Sequence, residues 1–86
     1  MNVNLPTPLT DYTDGKRDVV AIGNTVDKLL HDLDRQYPGI RFRMIDEQGR
    51  VRPHIKLFVD RELQRDLGFL LTPQSEIMIV AALSGG

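Results

Sequence analysis

One stripe of side chains constrains everything else in this sequence. Val26, Leu29, Leu30, Leu33 and Tyr37 fall at i, i+3, i+4, i+7 and i+11, a single apolar face of an α-helix. Asp27, Lys28, His31, Asp32, Asp34 and Arg35 take the wet side. Asn24 is placed to cap the start, with Asp27 three residues on to answer it as in a capping box. Pro38-Gly39 stops the helix. The remaining apolar segments read mostly as strands. A lone amphipathic helix covers only one face of the sheet such strands make, so the other face stays open.

The strands follow from alternation. Met1, Val3 and Leu5 alternate with Asn2 and Asn4, which predicts a half-buried strand. Pro6 and Pro8 limit its pairing, Asp14-Gly15 is a turn, and Arg17 to Ile22, with Val19, Val20, Ala21 and Ile22, reads as the second arm of a hairpin. Ile40 to Ile45 fits either a short strand or a helical turn. From Val51 the alternation predicts a longer strand, with Val51, Pro53, Ile55, Leu57 and Val59 on one face and Arg50, Arg52, His54, Lys56 and Phe58 on the other. Asp60-Arg61-Glu62 forms a charged turn. Leu63 to Leu71 is a loose apolar stretch, a short strand with a helical turn, and Thr72 to Ser75 a loop. Ile77 to Leu83 is apolar at both parities, the mark of a central strand. An α+β architecture follows: a mixed sheet of four to five strands gripping one main helix, the ubiquitin-like β-grasp arrangement. Residues 1–83 form a single domain and residues 84–86 a flexible tail.

Composition removes whole classes of function. The 86 residues hold one core, not two. There is no cysteine, hence no disulfide, no thiolate nucleophile and no sulfur-ligated zinc. The core must therefore hold the fold unaided, and an apolar residue that cannot face inward is informative. Eleven Lys and Arg against 12 Asp and Glu leave a net charge of −1, so no global basic field draws nucleic acid or anionic lipid. No apolar run is long enough to span a membrane, and the first residues lack the pattern of a signal peptide, so a cytoplasmic location is the expectation.

The chain offers no catalytic constellation of its own. His31 sits on the polar side of the helix and His54 among arginines, neither with a second histidine four residues on, so no metal site is expected. Phosphate-cradling glycine loops and nucleophile elbows are missing from the sequence. Arg41, Arg43, Arg50, Arg52 and Lys56 make a local basic patch. It reads as a solvated strand face or as a docking surface for an acidic partner, because too few aromatics are interleaved for RNA. By parity Phe58, Met78 and Val80 emerge on the face the helix leaves open. They form a protein-binding patch unless Leu63 to Leu71 folds over them.

The chain's last residues carry the sharpest expectation. After the apolar strand come only Ser84, Gly85 and Gly86, a thin thread with a carboxylate, able to enter a narrow channel or simply to fray. A carboxylate is inert until activated. Transfer of AMP from ATP makes a mixed anhydride that sulfide, a persulfide, a thiol or an amine attacks. If sulfur ends on Gly86 the product is a thiocarboxylate.

The run Ile77-Met78-Ile79-Val80-Ala81-Ala82-Leu83-Ser84-Gly85-Gly86 resembles the closing segment of the ThiS/MoaD family of ubiquitin-like sulfur carriers. The stretch from Phe42 to Asp60 is similar to the CysO-like branch of that family. Pro73-Gln74-Ser75-Glu76 departs from the Asp-Gly-Asp turn common before the last strand. The resemblance implies a carrier, not an enzyme. Gly86 is adenylated by an E1-like enzyme of the ThiF/MoeB type and converted to the thiocarboxylate, with Ser84 and Gly85 as the thread. Phe58, Met78 and Val80 then form the contact surface for the activating enzyme. No cofactor is bound, since ATP and the sulfur source belong to that partner. A biosynthetic enzyme for cysteine, methionine, thiamine, molybdopterin or a siderophore-type thioacid accepts the sulfur. In the CysO-like branch a JAMM-type metalloprotease releases the product. The same Gly-Gly also suits a ubiquitin-like modifier joined to lysines of target proteins.

Overall fold

The helical stripe packs as its spacing requires. In the structure of the protein, a computed structural model that describes residues 1–82, helix α1 spans Val26–Gln36 and buries Val26, Leu29, Leu30 and Leu33. Its cap is Thr25, not Asn24: Thr25 Oγ1 accepts from the Lys28 N–H at 3.2 Å. Asn24 is committed elsewhere, its carbonyl accepting from the Leu71 N–H at 2.9 Å. No capping box forms, because the Asp27 carboxylate reaches Arg41 at 3.2 Å and His31 at 3.5 Å instead. The first amides of a helix have no partner within it. Here those of Val26 and Asp27 donate to the carbonyls of Phe69 and Leu67, at 3.1 and 2.8 Å.

Five strands form the sheet: β1 (Asn2–Asn4), β2 (Asp18–Val20), β3 (Ile55–Val59), β4 (Glu62–Leu63) and β5 (Ile77–Ala81). Their order is β2-β1-β5-β3-β4, so β5 is central, as its apolar character at both parities predicts. It runs parallel to β1 and antiparallel to β3. The hairpin of β1 and β2 forms with Val3 opposite Val19, closed by a 3-10 segment at Thr7–Thr13 and a turn at Asp14 and Gly15. Val3, Val19, Leu57, Ile77 and Ile79 point inward and join the α1 stripe in one core.

Two open readings are resolved and one expectation is corrected. The segment after Pro38-Gly39 is a short helix, α2 (Ile40–Met44), because Ile40 and Met44 both fall inward at i, i+4. The strand expected from Val51 begins only at Ile55. Val51 makes an isolated bridge to Ile45, and Pro53 and His54 turn the chain so that the Ile55 N–H donates to the Arg52 carbonyl at 2.9 Å. The stretch from Leu63 to Leu71 does not fold over the open face. Its Leu67 and Phe69 carbonyls and Leu71 amide fasten it to the start of α1, and Leu71 is buried there.

Three aspartates hold loops and strands by accepting hydrogen bonds as carboxylates. Asp32 is held below the usual carboxylate range first by Arg35 and then by the Ile22 N–H. Asn4 and Asn2 do the same for Asp18, and the Arg50 and Gln48 amides for Asp46. A depressed folded-state pKa stabilises the fold above the unfolded value, about 4, and that contribution is lost as pH falls through the lower folded value. Asp32→Asn is therefore expected to lower the melting temperature more at pH 7 than at pH 3. Parallel melts at the two pH values check this; an equal difference at both would contradict it.

Candidate functional site

Strand pairing builds the open face residue by residue. Asp18 stands opposite Asn4, Asn4 beside Met78, Met78 opposite Phe58, and Phe58 opposite Leu63, one continuous row across all five strands. A second row places Val80 opposite Lys56. The row is polar on β2 and β1, where the Asn2 and Asn4 side-chain amides both donate to Asp18 Oδ1 at 3.3 and 3.1 Å. It is apolar on β5, β3 and β4. Met78 and Val80 keep 40% and 38% of their surface exposed although they sit on the central strand. Phe58 is half-buried. The structure thus brings Phe58, Met78 and Val80 together on one uncovered surface.

Leu63 belongs to the same patch, and pattern reading alone misses it. The signal was the spacing: Asp60 and Arg61 adopt positive φ (50° and 73°) as a two-residue hairpin loop, which sets Leu63 across from Phe58. Two hydrogen bonds finish the corner: the Asp60 N–H donates to the Glu76 carbonyl at 2.9 Å, and Asp60 Oδ1 accepts from the Glu76 N–H at 2.9 Å.

β5 ends at Ala81, and the Ala82 N–H donates to the His54 carbonyl at 2.7 Å. Ser84, Gly85 and Gly86 lie outside the described residues. Two grooves flank this end of the strand. One, about 610 Å³, runs between Pro8, Leu9, Phe42, Ile55 and Ala81, with Arg43, Arg52 and His54 along it. The other lies between Pro6, Thr7, Met78 and Val80.

The basic residues do not form the single strand face expected of them. Only Lys56 lies on β3. Arg52 stacks 4.6 Å from the centre of the Phe42 ring and its Nε donates to the Phe42 carbonyl at 2.8 Å. Arg43 lies 5.9 Å from the Tyr12 ring centre, with its Nε donating to Tyr12 Oη at 2.7 Å. Arg50 stays in its own turn, bonded to Gln48. Arg41 pairs with Asp27. His31 and His54 are both exposed and stand apart. Among the described residues no three His, Cys, Asp or Glu side chains gather as a metal site, and no helix is long and apolar enough to cross a membrane.

No family model matches the chain. A curated relative does along its full length: the sulfur carrier protein CysO of Mycobacterium tuberculosis is 31% identical over 91 residues, covering 100% of this chain and 98% of that protein. Among solved structures, a chain of the Amycolatopsis orientalis BexX/CysO complex superposes with a TM-score of 0.89 at 27% identity, covering 99% of this chain and 98% of that one. SAMP1 from Haloferax volcanii follows with a TM-score of 0.81 at 26% identity, covering 100% and 98%. The curated relative is a carrier rather than a catalyst. The five-stranded mixed sheet, its one long helix and the full-length match agree. The chain belongs to the CysO family of ubiquitin-like β-grasp sulfur carriers.

Proposed function

We propose that the protein carries sulfur as a thiocarboxylate on Gly86, whether that residue ends the chain as made or is freed by cleavage. The Gly86 carboxylate attacks the α-phosphorus of ATP on an E1-like adenylating enzyme, pyrophosphate leaves, and an acyl-adenylate forms. Sulfide then attacks the acyl carbon and expels AMP, leaving –COS⁻ on the glycine. ATP and sulfide are held by the partner. A biosynthetic enzyme takes the sulfur from the carrier.

The observation that best supports this reading is the full-length match to a sulfur carrier, with β5 as the central strand. A rigid central strand holds the root of the last four residues in a fixed place while a partner acts on them. Ser84 and Gly85 present no bulky side chain, so a narrow channel admits them. The experiment is intact-mass spectrometry of the full chain after incubation with an adenylating enzyme, ATP and sulfide. The expected product gains the mass difference between sulfur and oxygen. An unchanged mass with every cognate enzyme would overturn the reading.

The open face is the docking surface for that enzyme in this proposal. Met78→Asp places a charge in the middle of the Phe58, Met78 and Leu63 row without touching the core. It is expected to raise KM for the carrier in ATP–pyrophosphate exchange by about tenfold, the scale of losing one good interface contact. The melting temperature should stay near that of the parent. An unchanged KM would remove this face from the contact.

The likeness to SAMP1, a small archaeal modifier protein by name, favours one second reading: transfer of Gly86 to a lysine amine of a target protein. Conjugates that survive a denaturing gel would identify it.

A further inference from the structure

The two arginines at the end of β5 are built differently from ordinary surface arginines. Both guanidinium groups are engaged on one side, each by an Nε hydrogen bond and an aromatic ring: Arg43 on Tyr12 (2.7 Å) and Arg52 on Phe42 (2.8 Å to its carbonyl, 4.6 Å to the ring centre). Among the described residues, no hydrogen bond from their terminal Nη groups is formed and no carboxylate lies within 4.0 Å of either. The neighbouring acid, Asp46, is occupied by the amides of Gln48 and Arg50 in its own turn. An arginine fixed in advance loses little side-chain freedom on binding, and its two outer N–H groups match a carboxylate in a bidentate fork. Both line one groove together with the exposed Pro8 and the half-buried Ala81, over the buried Leu9 and Ile55.

Resting on the carrier reading above, we infer that this groove receives an acidic, apolar-punctuated peptide segment of the activating enzyme. Asp or Glu carboxylates engage Arg43 and Arg52, and an aliphatic side chain lies against Pro8 and Ala81. This contact is separate from the Met78 face and lies beside the residue from which the last segment departs. Charge complementarity selects the occupant. A polyanion such as RNA meets too little positive charge here, with Asp46 and Glu47 close in sequence and a net charge of −1. A carboxylate pair needs only the two forks.

Two measurements test it. In the first, the full ¹⁵N-labelled chain is titrated with a blocked peptide of alternating Glu and Leu, with its Lys-Leu counterpart and with a single-stranded RNA oligonucleotide. The Glu-Leu peptide is expected to shift the amides of Phe42, Arg43, Arg52, Ala81 and Ala82, and the combined variant Arg43→Glu with Arg52→Glu to abolish the shifts. No response to the Glu-Leu peptide, or a response to RNA in its place, would overturn the inference. In the second, the same variant is expected to raise KM for the carrier in ATP–pyrophosphate exchange by about tenfold, two surface charge pairs having been reversed. Lys16→Glu with Lys28→Glu, the same total charge change at two exposed residues that do not line the groove, should leave KM near the parent value, and equal KM for both double variants would overturn the inference. If the reversed pair does not fold, Arg43→Gln with Arg52→Gln takes its place. Failure of the parent chain to support exchange would instead overturn the carrier reading, and the peptide titration then decides the groove alone.

Discussion

Deletion of Gly86 is expected to abolish sulfur loading altogether. The remaining Gly85 still offers a carboxylate, but one residue nearer the sheet. A strand advances about 3.3 Å per residue, so the carboxylate of the shortened chain falls short of the position where the intact one meets the α-phosphate. Displacements of about 1 Å from a reactive geometry already cost about 10²-fold in rate. Threefold that distance leaves no product within the time of an ordinary assay. Intact mass after incubation with enzyme, ATP and sulfide reads the result, and the melting temperature is the control, since no residue of the core from Val3 to Ile79 is altered. A shortened chain that still gains sulfur would show that Gly86 is not the acceptor. A shortened chain that fails to load but keeps peptide binding in the Arg43 and Arg52 groove would separate docking from chemistry.

Gly23→Ala is expected to be the most destabilising single change of a small residue. A Cβ at this position would lie 2.4 Å from Leu29 N and 2.8 Å from both Leu29 Cα and the Lys28 carbonyl carbon. All three are backbone atoms of α1, so no side-chain rotation relieves the clash and the helix itself must move. Leu29 and Leu30 are fully buried, and displacing them opens the core. Overpacking of this kind costs about 3 kcal/mol, which for a domain of this size lowers the melting temperature by roughly 12–24 °C. Thermal melts of the variant and the parent check it. A fall of only a few degrees would mean that the chain before α1 yields more easily than its packing implies.

Gly23 also shows where reading the sequence stops. Nothing in Gly23-Asn24-Thr25 itself reveals that α1 backs onto it, because the approach is set by how the hydrophobic stripe that begins three residues on packs into the core. The choice of Thr25 over Asn24 as cap is of the same kind. Both residues are good caps by chemistry. What decides between them is the arrival of Leu67, Phe69 and Leu71, more than 40 residues on, to bond the amides of Val26 and Asp27 and the carbonyl of Asn24. That same docking keeps Leu67 to Leu71 away from the open face, which the apolar pattern of Leu63 to Leu71 left undecided. By contrast, features governed by periodicity were legible. The stripe from Val26 to Leu33 required a helix with one buried side, and the run Ile77 to Val80 required a strand hidden by neighbours on both edges. The uncovered position of Met78 and Val80 followed from those two together. Pro53 is a middle case. Its alternation with Val51 and Ile55 suggested a longer strand, but a residue without an N–H is ill suited to the ladder, and β3 starts two residues later.

The place of β5 between a parallel and an antiparallel neighbour has a mechanical consequence. Force applied to the chain beyond Ala81 along the strand axis loads the hydrogen bonds to β1 and β3 in shear, all at once, instead of peeling them one by one. Tension between β1 and the chain beyond Ala81 is borne by this same ladder, because the two strands run parallel. A machine that threads the molecule from its tail must break both borders of the strand before anything else yields, whereas one that pulls at β4, a two-residue strand at the rim, unzips it from the outside.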